Sequence, residues 1–356
     1  MGRRILITRI GWFLSHRLAR RLEEDPDVEY ILGVDLAPPA GDLQRTEYLQ
    51  VDLRKPVLLK IIESTGIDTV VHLNLYSTPG EAGGRGAMHD LNVIGAMQLF
   101  AAIQRSETVK QLIVRSSTAV YGADPNDPAV FTEDMMRSSR TDPFGRDSQE
   151  IETYARELAR RRRDIEMTTF RFANILGPGA DTPLANYLMM PVVPTILGFD
   201  PRLQFLHEDD ATDLLVQALE RPVGGVFNAS GDGVMYLSQV IRQGGRLELP
   251  MPLPVLSAAA PFLRLAGRGL SIPPHVVRLI HWGRVADTRR LRETFGFEPR
   301  YTTRDAVREF YAERRLRRVT RTQQAAAWER ELHDFLTRKG QERFLASTRG
   351  RGPRDL

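Results

Sequence analysis

Few residues of this 356-residue chain have types and spacings that could support chemistry. The sequence has no cysteine, which excludes disulfides, zinc–thiolate sites and cysteine nucleophiles. It also lacks the Gly-x-Ser-x-Gly turn of serine hydrolases, the His-Glu-x-x-His pair of zinc proteases and a phosphate loop that ends in Gly-Lys-Ser/Thr. What remains is a set of histidines and carboxylates, and one glycine-containing turn near the start.

Two of the seven histidines stand in patterns that could mark a site. His207 precedes Asp209 and Asp210, and imidazole and carboxylate groups together can bind a metal. This spacing is unspecific, so we predict no metal site. His72 ends an apolar run, where a packed and hydrogen-bonded ring is expected.

The stretch ITRIGWFLSHRL, residues 7–18, lies between a predicted strand and a predicted helix. A glycine-rich turn at such a junction binds the pyrophosphate of a dinucleotide, because glycines permit a tight turn and close approach of the backbone. Here the stretch holds one glycine, Gly11, and Trp12 follows it. The position of this stretch between a strand and a helix indicates a nucleotide site. Its single glycine and the neighbouring Trp12 indicate that the site is altered.

Alternating strand and helix patterns over the first 180 residues must position these groups. Apolar runs predict strands at RRILIT, YILGVDL, DTVVHLNL, QLIVRSS and MTTFRFANIL. Amphipathic runs predict helices at LSHRLARRLEED, PVLLKIIEST, MHDLNVIGAMQLFAAIQRS and IETYARELARRRRD. Strands that alternate with helices of this length predict an α/β fold with a doubly wound parallel sheet and right-handed crossovers.

Basic residues are concentrated at the end of the chain. The last 56 residues carry 14 Arg and Lys against 8 Asp and Glu, a net charge of +6, although the whole chain is only +4. The favoured interpretation is a solvated helix, which could also pack in a homodimer. A second is that the tail binds an anionic membrane surface together with the amphipathic segment 257–270. The least favoured is that it binds nucleic acid. The residues concerned are Arg314, Arg315, Arg317, Arg318 and Arg321, with Trp328, Leu332 and Phe335 as an apolar face.

Composition and hydropathy favour a cytoplasmic protein. The chain is 42% hydrophobic and 26% charged, as is usual for globular proteins. No apolar run approaches the ~20 residues of a membrane span, and the first ten residues are typical of a strand rather than of a signal peptide. Peripheral attachment to a membrane through the basic tail stays open.

Nine short motifs occur in order and together resemble the extended short-chain dehydrogenase/reductase family, in the NAD-dependent epimerase/dehydratase branch that includes UDP-galactose 4-epimerase. The resemblance is closest to actinobacterial members. It implies a Rossmann-like domain over 1–180 and a smaller, mostly helical substrate-type subdomain over 181–312 that is interleaved with the sheet. A basic helical tail would follow over 313–356. The motifs are VDL (34–36), VDLRKP (51–56), VVHL (70–73), LNVIGAMQLF (91–100), SSTAVYG (116–122), FRFANILGPG (170–179), FLHEDDATDLL (205–215), VFNASGDG (226–233) and DTRRLRETFGFEP (287–299).

The resemblance places the three glycines of the family's Thr-Gly-x-x-Gly-x-x-Gly turn at Arg9, Trp12 and Ser15. Arginine at the first position strains a turn that favours positive φ. Tryptophan at the second puts an indole where the diphosphate would lie. We therefore expect no dinucleotide bound in the family manner, and no cofactor.

Other cofactor positions of the family are retained. The resemblance implies that Asp35 would accept hydrogen bonds from the adenosine ribose and that Asp52 and Leu53 would face adenine. It also implies that Asn92 lies in the helix where the family has this asparagine. Each can equally persist for structure, since aspartate caps turns and a buried asparagine pins a helix to its neighbour.

The catalytic positions of the family are not retained. Its acid–base pair is Tyr-x-x-x-Lys on one helix face, where the ammonium lowers the pKa of the tyrosine. Phe144 and Ser148 align with that pair, and Arg146 projects from another face of the helix. Ser117 matches the third member, a hydroxyl that would bond the substrate oxygen.

These losses favour a non-catalytic scaffold, a pseudoenzyme that binds an unknown small ligand or a partner. One alternative is an NAD- or NADP-dependent nucleotide-sugar epimerase or reductase with a rebuilt site. Another is an interaction protein whose arginine-rich tail binds anionic lipid or nucleic acid. Loss of both the turn and the acid–base pair favours the first hypothesis, because no tyrosine elsewhere is followed by lysine four residues later.

Overall fold

The computed structural model describes residues 2–39, 41–135, 141–255 and 272–314. One compact unit spans Met1–Phe310, and a second begins at Tyr311. The predicted segment 257–270 and the tail residues beyond Arg314 lie outside the described residues. No helix within the described ranges is long and apolar enough to cross a membrane.

A parallel sheet of seven strands forms the centre of the first unit, in the order β11-β6-β5-β4-β1-β2-β3. This confirms the predicted Rossmann-like α/β fold. The described strands are β1 (Arg3–Thr8), β2 (Val28–Asp35), β3 (Thr46–Gln50), β4 (Thr69–His72), β5 (Gln111–Ser117), β6 (Glu166–Phe172), β7 (Asn174–Leu176), β8 (Val192–Ile196), β9 (Arg202–Leu203), β10 (Phe205–His207), β11 (Gly225–Ala229), β12 (Met235–Tyr236) and β13 (Leu247–Met251).

Helices cover both faces of the sheet because alternate residues of each strand point to opposite sides. Ile5 and Ile7 of β1 pack in one apolar cluster with α1 and α8, whereas Leu6 packs in the other with α2, α5 and α6. The described helices include α1 (Phe13–Glu23), α2 (Leu58–Thr65), α3 (Pro79–Ala82), α4 (Arg85–His89), α5 (Gly95–Arg105), α6 (Pro143–Arg161), α7 (Pro183–Leu188), α8 (Glu208–Glu220), α9 (Leu237–Gln243) and α10 (Pro274–Trp282).

Two local features differ from the sequence predictions, and a third concerns the later part of the chain. Strand β3 was not predicted, because most of its residues are exposed at the sheet edge and show no apolar pattern. Helix α6 begins at Pro143, eight residues before the predicted start, because the Asp142 carboxylate caps its first backbone N–H groups. The described part of residues 181–310 contains six strands besides its helices, and one of these strands, β11, joins the central sheet.

The start of α6 packs closely against the chain after β5. A Cβ atom on Gly145 would lie 2.5 Å from the backbone oxygen of Ala119 and 3.1 Å from Cβ of Thr141. We expect Gly145→Ala to lower the free energy of unfolding by about 1–3 kcal/mol through overpacking. Urea unfolding measures this.

The matched control is Gly86→Ala in α4, where an added Cβ would have no neighbour within 4 Å. This variant should equal the wild type or exceed it by up to about 1 kcal/mol, because alanine favours helix more than glycine does. Equal destabilisation by both substitutions would contradict a specific close approach at Gly145.

Candidate functional site

The turn after β1 contains an arginine in a backbone conformation that favours glycine. Arg9 has φ of 58° and is the single non-glycine residue with positive φ in the part of the chain that the structure describes. Non-glycine residues rarely adopt this region because Cβ crowds the backbone. The strain at Arg9 must therefore be offset by contacts that its side chain makes elsewhere.

Those contacts hold the Arg9 guanidinium over the segment that follows β4. Nη1 donates to the backbone oxygen of Leu75 at 2.7 Å, and Nη2 donates to the carboxylate of Glu81 at 2.7 Å. The guanidinium carbon lies 3.9 Å from the centre of the Tyr76 ring, and the side chain is only 9% exposed. Arg9 is thus fixed by two hydrogen bonds and a cation–π contact.

A second arginine completes the cluster from β5. The guanidinium carbon of Arg115 lies 3.7 Å from the centre of the Trp12 ring, and Arg9 lies 5.5 Å from the same ring. Arg115 Nη1 donates to Leu75 O at 2.9 Å, so both guanidiniums share one acceptor. Burial and the neighbouring Arg9 charge lower the pKa of Arg115 well below its usual value. We call Arg9, Trp12, Tyr76 and Arg115 the arginine–aromatic stack.

The stack stands where a glycine turn would leave room for a diphosphate. Trp12 is the N-cap residue of α1, and an open helix N-terminus is what binds a pyrophosphate in this type of fold. Ser15, the third glycine position, is fully buried, and its hydroxyl donates to Thr8 O at 3.4 Å. The residues present therefore do not fit the diphosphate of NAD in the family manner.

Sequence reasoning identified Arg9 and Trp12 but missed Arg115, Tyr76 and Glu81. The sequence does contain a signal for Arg115, because this charged residue directly follows the buried apolar run of β5. Tyr76 and Glu81 had none, since their role depends on where the segment after β4 passes the turn after β1.

An apolar cavity lies beside the stack, next to the ends of β2 and β4. It measures about 220 Å³ only when the space open to solvent is counted, so it is a shallow depression rather than an enclosed cavity. Two of its polar side chains, Arg9 and Asp35, are charged. Asp35 accepts from the backbone N–H of Gly11 at 2.9 Å and of Leu36 at 2.7 Å. The lining residues are Arg9, Val34, Asp35, Leu36, Val51, Leu53, Asn74 and Leu91.

Asp52 and Asn92 make bonds within the protein. The Asp52 carboxylate accepts from Arg54 at 2.8 Å, and hydrogen bonding from Arg54 lowers the pKa of Asp52. Asn92 is fully buried, accepts from Tyr76 N at 2.7 Å and donates to Tyr76 O at 3.0 Å. Its amide also donates to Asp147 of α6 at 3.0 Å. Asn92 thereby holds Tyr76 in place beneath Arg9.

At the three positions predicted to be catalytic, the side chains contact other groups of the protein. Phe144 is buried, with its ring centre 4.9 Å from that of His275. Ser148 is fully buried and donates to Phe144 O at 3.0 Å, within its own helix. Ser117 accepts from Ala119 N at 3.2 Å and so caps a short helical turn. Burial lowers the pKa of His275 to about 4, against the opposing charge of Asp142.

The remaining histidines of interest have structural partners. His207 caps α8 by accepting from Asp209 N at 3.2 Å, and its ring stacks on Tyr301 at 3.9 Å. His72 is fully buried, 3.3 Å from the Thr8 hydroxyl, and burial lowers its pKa to about 3. Within the described ranges, no group of three or more histidines and carboxylates is placed to hold a metal ion.

Sequence comparison identifies the family. The chain belongs to the NAD dependent epimerase/dehydratase family, whose sequence model matches residues 5–230. It is 39% identical over 331 residues to an uncharacterized protein of Mycobacterium tuberculosis, with 91% of this chain and 88% of that protein covered. It is 31% identical over 187 residues to UDP-glucose 4-epimerase 2 of Oryza sativa subsp. japonica, with 50% and 45% covered.

Solved structures show the same fold. MoeE5 in complex with UDP-glucuronic acid and NAD has a TM-score of 0.69 at 19% identity, with 88% of this chain and 99% of that chain covered. UDP-glucose 4-epimerase from Thermotoga maritima with UDP-glucose has a TM-score of 0.68 at 17% identity, with 88% and 98% covered. The match to the family model confirms the family resemblance inferred from the nine motifs.

Proposed function

We propose that this protein is a non-catalytic member of the epimerase/dehydratase family, whose cleft binds a ligand other than an intact NAD dinucleotide. The observation that carries the proposal is the arginine–aromatic stack, which lies at the turn where the family would bind a diphosphate. Arg9 and Trp12 stand at two of the three glycine positions of that turn.

Opening the stack for a dinucleotide is costly. Both guanidiniums donate to Leu75 O, and Arg9 also bonds Glu81. Leaving a buried polar group without its partner costs about 1–3 kcal/mol, and each desolvated cation–π contact contributes up to about 2 kcal/mol. The free energy of NAD binding would have to supply these amounts first.

The second support is the chemistry of the catalytic positions. General acid–base catalysis needs a group that exchanges a proton and whose pKa lies near the working pH. Phe144 has no such proton, and Ser148 is committed to a bond within α6. His275 contacts Phe144, but its pKa of about 4 makes it a weak base at neutral pH. A rebuilt epimerase site is therefore the less favoured alternative.

A thermal-shift titration with NAD and NADP tests the proposal. We expect no change in melting temperature up to about 1 mM ligand. If either dinucleotide bound with a Kd of about 10 µM, that concentration would stabilise the fold by about 2.7 kcal/mol, which is easily seen as a higher melting temperature. Saturable stabilisation by micromolar NAD or NADP would overturn the proposal and favour a cofactor-dependent enzyme.

A further inference from the structure

Within the described ranges, exposed apolar side chains are concentrated in one segment of the chain. Thirteen large hydrophobic side chains are exposed there, and eight of them lie between residues 192 and 255. Single exposed apolar residues are normal on a protein surface, whereas a concentration of them marks contact with another protein or with a membrane. The eight residues are Val192, Leu197, Phe199, Val234, Tyr236, Leu247, Leu249 and Val255.

Strands β8 and β13 bring most of these side chains together. The two strands are parallel neighbours, with Leu247 beside Val192 in the register. Leu247 and Leu249 lie on the same face of β13, since side chains alternate along a strand. Leu197 N donates to Met251 O at 3.0 Å, which places the turn after β8 beside the end of β13. We call Val192, Leu197, Phe199, Leu247, Leu249 and Val255 the β8–β13 apolar patch.

The patch is highly exposed but poorly suited to pairing with another strand. Leu247 is 69% exposed, Leu197 59% and Val255 52%. Among the described strands β13 pairs with β8 alone, so its outer edge is unpaired. An unpaired edge can recruit a further strand, but Pro250 and Pro252 have no N–H to donate to one. These prolines disfavour the addition of a strand from another protein or from a second copy of this chain.

The sequence that forms and follows β13 is basic. Residues 242–281 contain five arginines and one acidic residue, Glu248, which gives this stretch a net charge of +4. Glu248 lies on the opposite face of β13 from Leu247 and Leu249, and it accepts from the Thr195 hydroxyl at 2.9 Å. Arginines beside exposed apolar side chains are complementary to anionic lipid head groups. The five arginines are Arg242, Arg246, Arg264, Arg268 and Arg278.

Segment 256–271 lies outside the described residues, but both of its ends adjoin the patch or an element that contacts it. The segment follows Val255 of the patch and leads through Ile272 into α10. The ring centre of Trp282, at the end of α10, lies 5.1 Å from that of Phe199 in the patch. The segment's sequence, LSAAAPFLRLAGRGLS, includes the predicted amphipathic segment 257–270, with two arginines and no acidic residue. It therefore has the apolar and basic character of the surface to which it is attached.

We propose that the β8–β13 apolar patch and segment 256–271 together dock this protein on an anionic lipid bilayer surface. The apolar side chains enter the boundary between head groups and acyl chains, and the arginines pair with lipid phosphates. The attachment is peripheral, since no helix of the described ranges is long and apolar enough to cross a membrane. This inference goes beyond the proposed function, because the patch shares no residue with the arginine–aromatic stack.

Co-sedimentation of the full chain with lipid vesicles tests the proposal. We expect binding to vesicles of phosphatidylglycerol and phosphatidylcholine in equal parts, and about tenfold weaker binding to phosphatidylcholine alone. Raising the salt from about 0.05 to about 0.5 M should weaken binding to the anionic vesicles, because salt screens exposed charges. The variant Leu247→Thr/Leu249→Thr should bind these vesicles about tenfold more weakly than the wild type, since it removes two apolar side chains from the contact.

Two further variants make the test specific. The matched control is Leu49→Thr/Val57→Thr, which changes two exposed apolar residues outside the patch, on β3 and at the start of α2. Its binding to anionic vesicles should stay within about twofold of the wild type. Arg264→Gln/Arg268→Gln removes two charges from segment 256–271 and should weaken binding to anionic vesicles without changing binding to phosphatidylcholine alone.

Four contrary results would each overturn the inference. The first is that the wild type binds no vesicle, and the second is that the leucine and arginine variants bind anionic vesicles as the wild type does. The third is a wild-type dimer, seen by analytical ultracentrifugation, that binds no vesicle and that Leu247→Thr/Leu249→Thr converts to a monomer, because the patch would then join two copies. The fourth is a much lower melting temperature of this variant without vesicle binding by the wild type, because the chain itself would then cover the patch.

Discussion

The double variant Phe144→Tyr/Ser148→Lys is expected to show no UDP-glucose 4-epimerase activity above background, although general acid–base groups contribute about 10²–10⁴-fold in enzymes that use them. The pair alone has no hydride acceptor while the arginine–aromatic stack remains. In addition, Ser148 is fully buried, so a lysine there would be desolvated and its pKa lowered. Interconversion of UDP-glucose and UDP-galactose, measured with added NAD, checks this result.

A five-position variant that adds Arg9→Gly, Trp12→Gly and Ser15→Gly separates the two losses. This variant should regain NAD binding, seen as a higher melting temperature, even if it does not regain turnover. The triple glycine variant alone is the matched control for cofactor binding. Turnover by the double variant, with the stack intact, would show that a dinucleotide already fits and would refute the proposed function.

The largest stability effect is expected from Glu152→Gln in α6. The Glu152 carboxylate accepts from Arg171 at 2.7 and 2.9 Å and from the Ser116 hydroxyl at 2.6 Å, and the charged side chains are 1% and 4% exposed. Although burial alone lowers the pKa of Arg171, its bonds to Glu152 raise it above the usual value. Removing the carboxylate leaves a buried cation uncompensated, which costs about 3–5 kcal/mol.

Urea unfolding measures this loss, and Glu157→Gln is the control. Glu157 lies on the exposed face of the same helix, so its substitution should change the free energy of unfolding by less than about 0.5 kcal/mol. A loss below about 1 kcal/mol for Glu152→Gln would mean that neutral partners satisfy Arg171 equally well. The ion pair would then be dispensable for the fold.

Much of the fold can be predicted from local pattern. The strands β1, β2, β4, β5 and β6 are short apolar runs, and the parallel order follows from the helices between them. The elements that local pattern did not predict, strand β3 and the first turns of α6, have a common cause. Strand β3 has few buried residues, and the first turns of α6 depend on a cap rather than on apolar periodicity. Burial and capping at these points are set by neighbours distant in the chain.

For the candidate site, too, one part could be predicted from the sequence and the other depends on the tertiary structure. The sequence by itself predicted which groups of the family are replaced, because motif positions are counted along the chain. Arg9, Trp12, Phe144 and Ser148 could be assigned to these positions without coordinates. What stands in their place depends on contacts between β1, β5 and the segment after β4. Arg9 meets Leu75 across 66 positions of the chain, and Arg115 meets the same oxygen across 40. Only the tertiary structure decided that two arginines converge on one carbonyl, because a side chain's partners are set by strand order and not by spacing in sequence.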